Sequence, residues 1–66
     1  MKVHVNGRET EVGSGKTIAD LVAALGLGER RVAVEVNRDV VTRDAWDRTV
    51  VGENDEVEIV QFVGGG

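Results

Sequence analysis

The chain has 66 residues, contains no cysteine and a single histidine, and carries a formal net charge of −4 at pH 7. These features exclude disulfides, zinc clusters and side-chain thiol chemistry, and they leave no basic face of the kind that nucleic-acid binding needs. Such a length predicts one small domain with an aliphatic core, and without a targeting or membrane-spanning segment we expect a soluble cytoplasmic protein.

The first twelve residues predict a β-hairpin. Val3 and Val5 alternate with polar residues, which is the period of a half-buried strand. Asn6-Gly7 follows, a pair favoured in two-residue hairpin turns because both positions need a positive φ. Residues 9–12 resume the alternation as the return strand.

A helix is predicted to begin after Thr17. Its hydroxyl can accept a hydrogen bond from the backbone N–H of Asp20, and Asp20 places a negative charge in the first turn. Gly26 matches the left-handed residue that commonly follows a helix. Between them, apolar residues recur at helical spacing and form one stripe: Ile18, Leu21, Val22 and Leu25.

Residues 12–17, VGSGKT, are similar to the end of a nucleotide-binding P-loop. That loop needs G-x-x-x-x-G-K-[ST], and the position of its first glycine is occupied by Thr10. The chain is also too short for the parallel sheet and magnesium-binding acid that accompany such a loop. We therefore interpret the segment as a turn that leads into the helix cap, and we expect no bound nucleotide or other cofactor.

The second half of the chain predicts strands with one short helical turn between them. In order, these are a strand at Val32–Val36, a turn at residues 37–39, a short strand at Val40–Val41, a helical turn at residues 43–47, a turn at residues 52–55 and a last strand from Val57 to Phe62. The predicted fold is α+β: a mixed sheet of four to five strands with one main helix packed on one face.

Few side chains suggest chemistry. His4 falls on the outward phase of the first strand, where a surface position is a better interpretation than a general base. Trp46 is expected to close the edge of the core rather than to form a ligand platform. Asp44 and Asp47 are interpreted as a solvated face. No catalytic or metal-binding constellation results, so we expect a protein that is not an enzyme.

The last strand carries a candidate docking surface. If Val57 and Ile59 face the helix, Val60 and Phe62 point to the other face of the sheet, where an apolar pair is available to a partner. The alternative is that Phe62 folds over a sheet edge and is partly covered.

Three glycines, Gly64, Gly65 and Gly66, follow this strand. They are either a frayed end or cloning remnant, or a flexible tail that threads through a narrow slot because glycine has no Cβ. We favour the tail, after a single domain at residues 1–63. A terminal glycine carboxylate can attack the α-phosphate of ATP held by another protein, and the acyl-adenylate is then opened by sulfur or nitrogen nucleophiles.

The whole chain resembles the ubiquitin-like β-grasp family, and within it the sulfur carrier proteins of thiamin biosynthesis. The resemblance lies in the opening VxVNG, in KTIADLVAALGL, VAVEVNRDVV and RDAW, and above all in the ending DEVEIVQFVGGG. It implies that the carboxylate of Gly66 is adenylated and converted to a thiocarboxylate. It also implies that Gly64 and Gly65 thread into the partner, and that Val60 and Phe62 dock against it.

The implied partners are a ubiquitin-activating-like adenylyltransferase (ThiF type) that uses the ATP, a cysteine desulfurase-derived persulfide as sulfur donor, and thiazole synthase (ThiG type). Nucleic acid and membrane are not expected as partners, and alone the protein is expected to be a monomer. Two alternatives remain open: a carrier for another sulfur pathway, such as the small subunit of molybdopterin synthase, and a ubiquitin-like modifier or binding module.

Overall fold

A computed structural model describes residues 1–27 and 31–61. Within these residues the chain forms a five-stranded mixed sheet, one α-helix (α1, Ile18–Ala24) and one 3₁₀ helix (Arg43–Arg48). The strands are β1 (Lys2–Val5), β2 (Arg8–Glu11), β3 (Val32–Val36), β4 (Asp39–Val41) and β5 (Glu56–Gln61). The predicted α+β class and β-grasp arrangement, with one main helix on a mixed sheet, are confirmed.

The last strand occupies the centre of the sheet, whose order is β2-β1-β5-β3-β4. β5 runs parallel to β1, with Val57 opposite Val5, and antiparallel to β3, with Gln61 opposite Val32. The two hairpins, β1–β2 and β3–β4, are antiparallel and flank it. The strand that leads to the predicted tail is therefore supported on both sides.

Helix α1 begins as the sequence predicts. The Thr17 hydroxyl accepts a hydrogen bond from the Asp20 backbone N–H at 3.2 Å, and the Asp20 carboxylate accepts one from the Thr17 N–H at 2.9 Å. This reciprocal capping box satisfies two backbone donors at the N-terminus of a short helix. Gly26 follows the C-terminus with φ +76°, as predicted.

The core lies between α1 and one face of the sheet. Its buried side chains come from every element except β2 and β4: Val3, Val5, Ile18, Leu21, Val22, Val32, Val34, Trp46, Val51, Val57 and Ile59. Because side chains alternate along a strand, the residues between these on β1, β3 and β5 lie on the opposite face. We call that surface the open face.

Three strands begin one residue earlier than predicted, and one of them is β5, which starts at Glu56 rather than Val57 because Glu56 pairs with His4. β2 starts at Arg8 rather than residue 9, because the Asn6-Gly7 turn is tight enough to pair Arg8 with Val5. β4 starts at Asp39, which was predicted to be part of a turn at residues 37–39. Asn37 and Arg38 alone make that turn, with φ values of 51° and 73°, so Asp39 already pairs with Val36.

Candidate functional site

The candidate site lies at the last described residues of the central strand. Backbone pairing with β3 continues through Ala33–Val60 to Val32–Gln61. This is the last described part of β5, so the platform for whatever follows Gln61 is a central strand rather than an edge. Four predicted site residues lie outside the described residues, and their roles stay predictions: Phe62, Gly64, Gly65 and Gly66.

Val60 lies where the sequence predicts it. Val57 and Ile59 are buried beneath α1, whereas Val60 is 57% exposed on the open face, opposite Ala33. An exposed β-branched residue is common at a protein surface, but this one is one residue from the end of the described strand. It is therefore available to a protein that engages the end of β5.

Acidic side chains surround Val60 on the β3–β5 part of the open face. Glu35 lies directly opposite Glu58 in the β3–β5 ladder, and like charges at such positions are destabilising. Within residues 1–27 and 31–61, neither carboxylate forms an ion pair. Towards the β2 edge of the same face, Lys2 forms an ion pair with Glu9 at 3.7 Å. Val60 therefore stands in a predominantly negative surface.

A side chain that the sequence pattern did not single out supports the end of β5. Asn6 was predicted only as a turn residue. Its Oδ1 accepts a hydrogen bond from the Ile59 backbone N–H at 2.8 Å, and its Nδ2 donates to the Ile59 carbonyl at 3.2 Å. These partners are 53 residues apart in the chain, so no local pattern could reveal the contact.

The segment VGSGKT forms the turn and helix cap that the sequence predicts. Lys16 enters the backbone network rather than a loop of consecutive free N–H groups: its carbonyl accepts from the Val51 N–H at 2.8 Å and its N–H donates to the Gly13 carbonyl at 3.4 Å. The pKa of Asp20 is lowered chiefly by the hydrogen bond from the Thr17 backbone N–H, and the positive charge of Lys16 adds a smaller lowering effect.

Trp46 closes the core, as predicted. The side chain is 5% exposed, and its indole N–H donates to the Val41 carbonyl at 2.9 Å. The Arg43 guanidinium lies over the ring, 4.7 Å from its centroid. Buried aromatic rings with a satisfied polar end are typical structural elements of small domains. The structure thus gives Trp46 a packing role.

Of the remaining polar candidates, Asp44 and Asp47 are exposed as predicted, whereas His4 is only partly exposed. His4 is half-buried on the open face, opposite Glu9 and Glu56. Asp44 is exposed, and its pKa is lowered mainly by a hydrogen bond from the Thr42 side chain. In the part of the chain that the structure describes, no three His, Asp or Glu side chains form a metal-binding group.

Among the same described residues, neither helix has the length and hydropathy required to cross a bilayer.

Comparison with known proteins shows full-length similarity. A thiazole synthase from Magnetococcus marinus is 41% identical over 66 residues, which are all of this chain but 20% of that protein. A sulfur carrier protein ThiS from Bacillus subtilis is 38% identical over 50 residues, or 76% of each chain. The chain thus spans about a fifth of the length of the thiazole synthases that it matches.

The fold has a solved counterpart. The crystal structure of a thiamine biosynthesis protein (ThiS) from Geobacter metallireducens superposes with a TM-score of 0.85 at 36% identity, covering 100% of both chains. A sequence model of the ThiS family matches residues 2–66. Because this match includes all but the first residue, the chain belongs to the ThiS family.

Proposed function

We propose that this protein is a sulfur carrier of thiamin biosynthesis and that its reactive group is the carboxylate of Gly66. The observation that carries the proposal is the match to the ThiS family, which extends through the three terminal glycines. Relatives from Bacillus subtilis and Escherichia coli are named sulfur carrier proteins, and the latter is similar over its full length at 24% identity.

In the proposed reaction the chain is a substrate of partner enzymes. A carboxylate oxygen of Gly66 attacks the α-phosphorus of ATP held by an adenylyltransferase; pyrophosphate leaves and an acyl-adenylate forms. The terminal sulfur of a cysteine persulfide then attacks the acyl carbon and AMP leaves. A second thiol attacks the sulfur derived from the donor cysteine, which breaks the S–S bond, produces a disulfide and leaves the thiocarboxylate on Gly66.

Thiazole synthase is the proposed acceptor of this sulfur. The thiazole synthases from Magnetococcus marinus and Paramagnetospirillum magneticum each contain a segment similar to all of this chain within a much longer protein. Covalent linkage keeps two interacting units at a high effective concentration. A ThiS-like segment within the same polypeptide as thiazole synthase therefore supports a functional interaction between the two units.

The end of β5 is the proposed docking region for both partners. Val60 supplies an exposed apolar contact beside the point where the strand ends, and Phe62 is proposed to extend it. Gly64 and Gly65 would then reach into the active site of the partner. Glycine suits this task because a narrow channel leaves no room for a Cβ atom.

Intact-mass spectrometry tests the proposal. The protein is incubated with ATP, a ThiF-type adenylyltransferase and a persulfide donor, and we expect a mass gain equal to the replacement of one oxygen by sulfur. Removal of Gly66, or a tag fused after it, should abolish the gain without unfolding the domain. Lys16→Ala should react normally, because the VGSGKT segment is not a nucleotide site in this proposal.

Two results would contradict this proposal. One is an unchanged mass for the intact chain under conditions in which an established ThiS protein gains sulfur. The other is a normal gain in the protein that lacks Gly66. The proposal also requires Gly66 to carry a free carboxylate in the cell, and the mass of the C-terminal peptide of the natural protein tests that directly.

A further inference from the structure

The central strand is held by two asparagine side chains, one near each end. Near its end, Asn6 bonds both backbone groups of Ile59. At its start, the Asn37 Oδ1 accepts from the Glu56 N–H at 3.0 Å, and its Nδ2 donates to the Asp55 carboxylate at 3.0 Å. Both asparagines have a φ of 51° and both belong to a hairpin turn.

Asn6 replaces the part of β1 that is missing beside β5. The backbone N–H of Asn6 still donates to the Val57 carbonyl at 2.8 Å, which continues the parallel ladder from His4 and Val5. After Asn6 the chain turns away from β5 into β2. The backbone that follows Asn6 therefore cannot bond Ile59, the next residue of β5 that faces β1. The Asn6 side chain carries the same donor and acceptor as a peptide group and supplies both bonds to Ile59 instead.

This contact determines how far the support of β5 extends towards its end. With Asn6 in place, β5 is bonded on its β1 side as far as Ile59, while β3 bonds its other side as far as Gln61. Without the amide, the β1 side would end at Val57, four residues before the end of the strand. Only one of the two neighbours would then restrain the segment that carries Val60.

We propose that Asn6 is a positioning residue for the reaction of Gly66: its amide fixes the last described residues of β5, to which the predicted tail is attached. This inference rests on the proposed carrier function. A reacting group that is held about 1 Å out of place can lose roughly 10²-fold in rate, and the adenylyltransferase must bring the Gly66 carboxylate onto the α-phosphorus of ATP. The Asn37 amide also makes two hydrogen bonds, but at the opposite end of β5: one to the backbone of Glu56, the first residue of the strand, and one to the side chain of Asp55 just before it.

The test compares Asn6→Gly with Asn37→Gly. Glycine keeps the positive φ at low cost while removing the amide, so the two variants lose similar bonds without added backbone strain. Initial rates of pyrophosphate release are measured with the adenylyltransferase over a range of carrier concentrations, at a temperature where circular dichroism shows both variants folded. Hydrogen exchange of the Ile59 amide is recorded in parallel.

We expect Asn6→Gly to lower kcat at saturating carrier by about tenfold and to speed exchange at Ile59, whereas Asn37→Gly changes kcat by less than about twofold. A merely structural role would reduce the folded fraction and leave kcat at saturation unchanged. Equal kcat values for the two variants, or unaltered exchange at Ile59, would overturn the inference. If the unsubstituted protein releases no pyrophosphate, the proposed function itself is wrong and this inference fails with it.

Discussion

At the scale of single residues, the capping box at Thr17 and Asp20 shows how one carboxylate stabilises a short helix. The pKa of Asp20 is lowered from its ordinary value of 3.8, chiefly because the Thr17 backbone N–H donates to the carboxylate and secondarily through the Thr17 hydroxyl. Both bonds are stronger to the ionised carboxylate than to the neutral acid. Helix α1 has seven residues, so one cap serves a large part of it.

Substitution of Asp20 by Asn should therefore change the pH dependence of stability. Since the folded state lowers this pKa, the contribution of the carboxylate is complete above pH 3.8 and is lost as the pH falls through the lower folded-state value. We expect Asp20→Asn to be less stable than the unsubstituted protein at pH 7, and the gap to narrow below pH 3.8. Urea denaturation at a series of pH values measures this difference in the free energy of unfolding.

Asp47→Asn is the matched control for this experiment, because it removes the same charge from an exposed position on the 3₁₀ helix. For each variant we compare the free energy of unfolding with that of the unsubstituted protein at the same pH. The other carboxylates titrate in both proteins, so their contribution cancels in this difference. A gap for Asp20→Asn that stays constant from pH 7 to the acid limit would show that the cap does not depend on the ionised carboxylate.

At the scale of elements, one face of β5 packs into the core and the other is exposed to solvent. Val57 and Ile59 are buried against the helix, and Val60 is exposed on the other side of the same strand. Replacement of Val60 removes little packing inside the domain. Its effect on a partner can therefore be separated from its effect on folding.

Val60→Asp should weaken docking of the carrier and leave its fold intact. We expect the apparent KM of the adenylyltransferase for the carrier to rise by about fivefold or more, in line with a loss of over about 1 kcal/mol at a central interface residue. Val50→Asp is the control, since Val50 is 59% exposed and lies outside β5. Equal KM values for the two variants would remove Val60 from the docking surface.

The strands, the helix cap and the exposure of Val60 could all be predicted from local pattern, because alternation and capping depend on neighbouring residues. The sheet order could not be predicted this way. β5 pairs with β1 across most of the chain, and the Asn6–Ile59 bonds depend on that pairing. The roles of Phe62 and the three glycines remain predictions from chemistry and family resemblance.

At the scale of the whole molecule, the net charge of −4 is concentrated in part on the open face of the sheet. Glu35 and Glu58 face each other across β3 and β5, while Glu56 on the same strand faces His4. Two like charges held side by side lower the stability of the folded state. The domain thus tolerates an unfavourable pair beside its proposed docking region.

Removal of one charge from this pair should stabilise the domain. We expect Glu58→Gln to raise the free energy of unfolding by about 0.2–1 kcal/mol in low salt, and the gain to shrink in about 1 M salt, where charges on exposed groups are screened over about 3 Å. Glu56→Gln makes the same change in net charge opposite His4 and should gain less. Equal gains, measured by urea denaturation, would mean that overall charge rather than the Glu35–Glu58 pair limits stability.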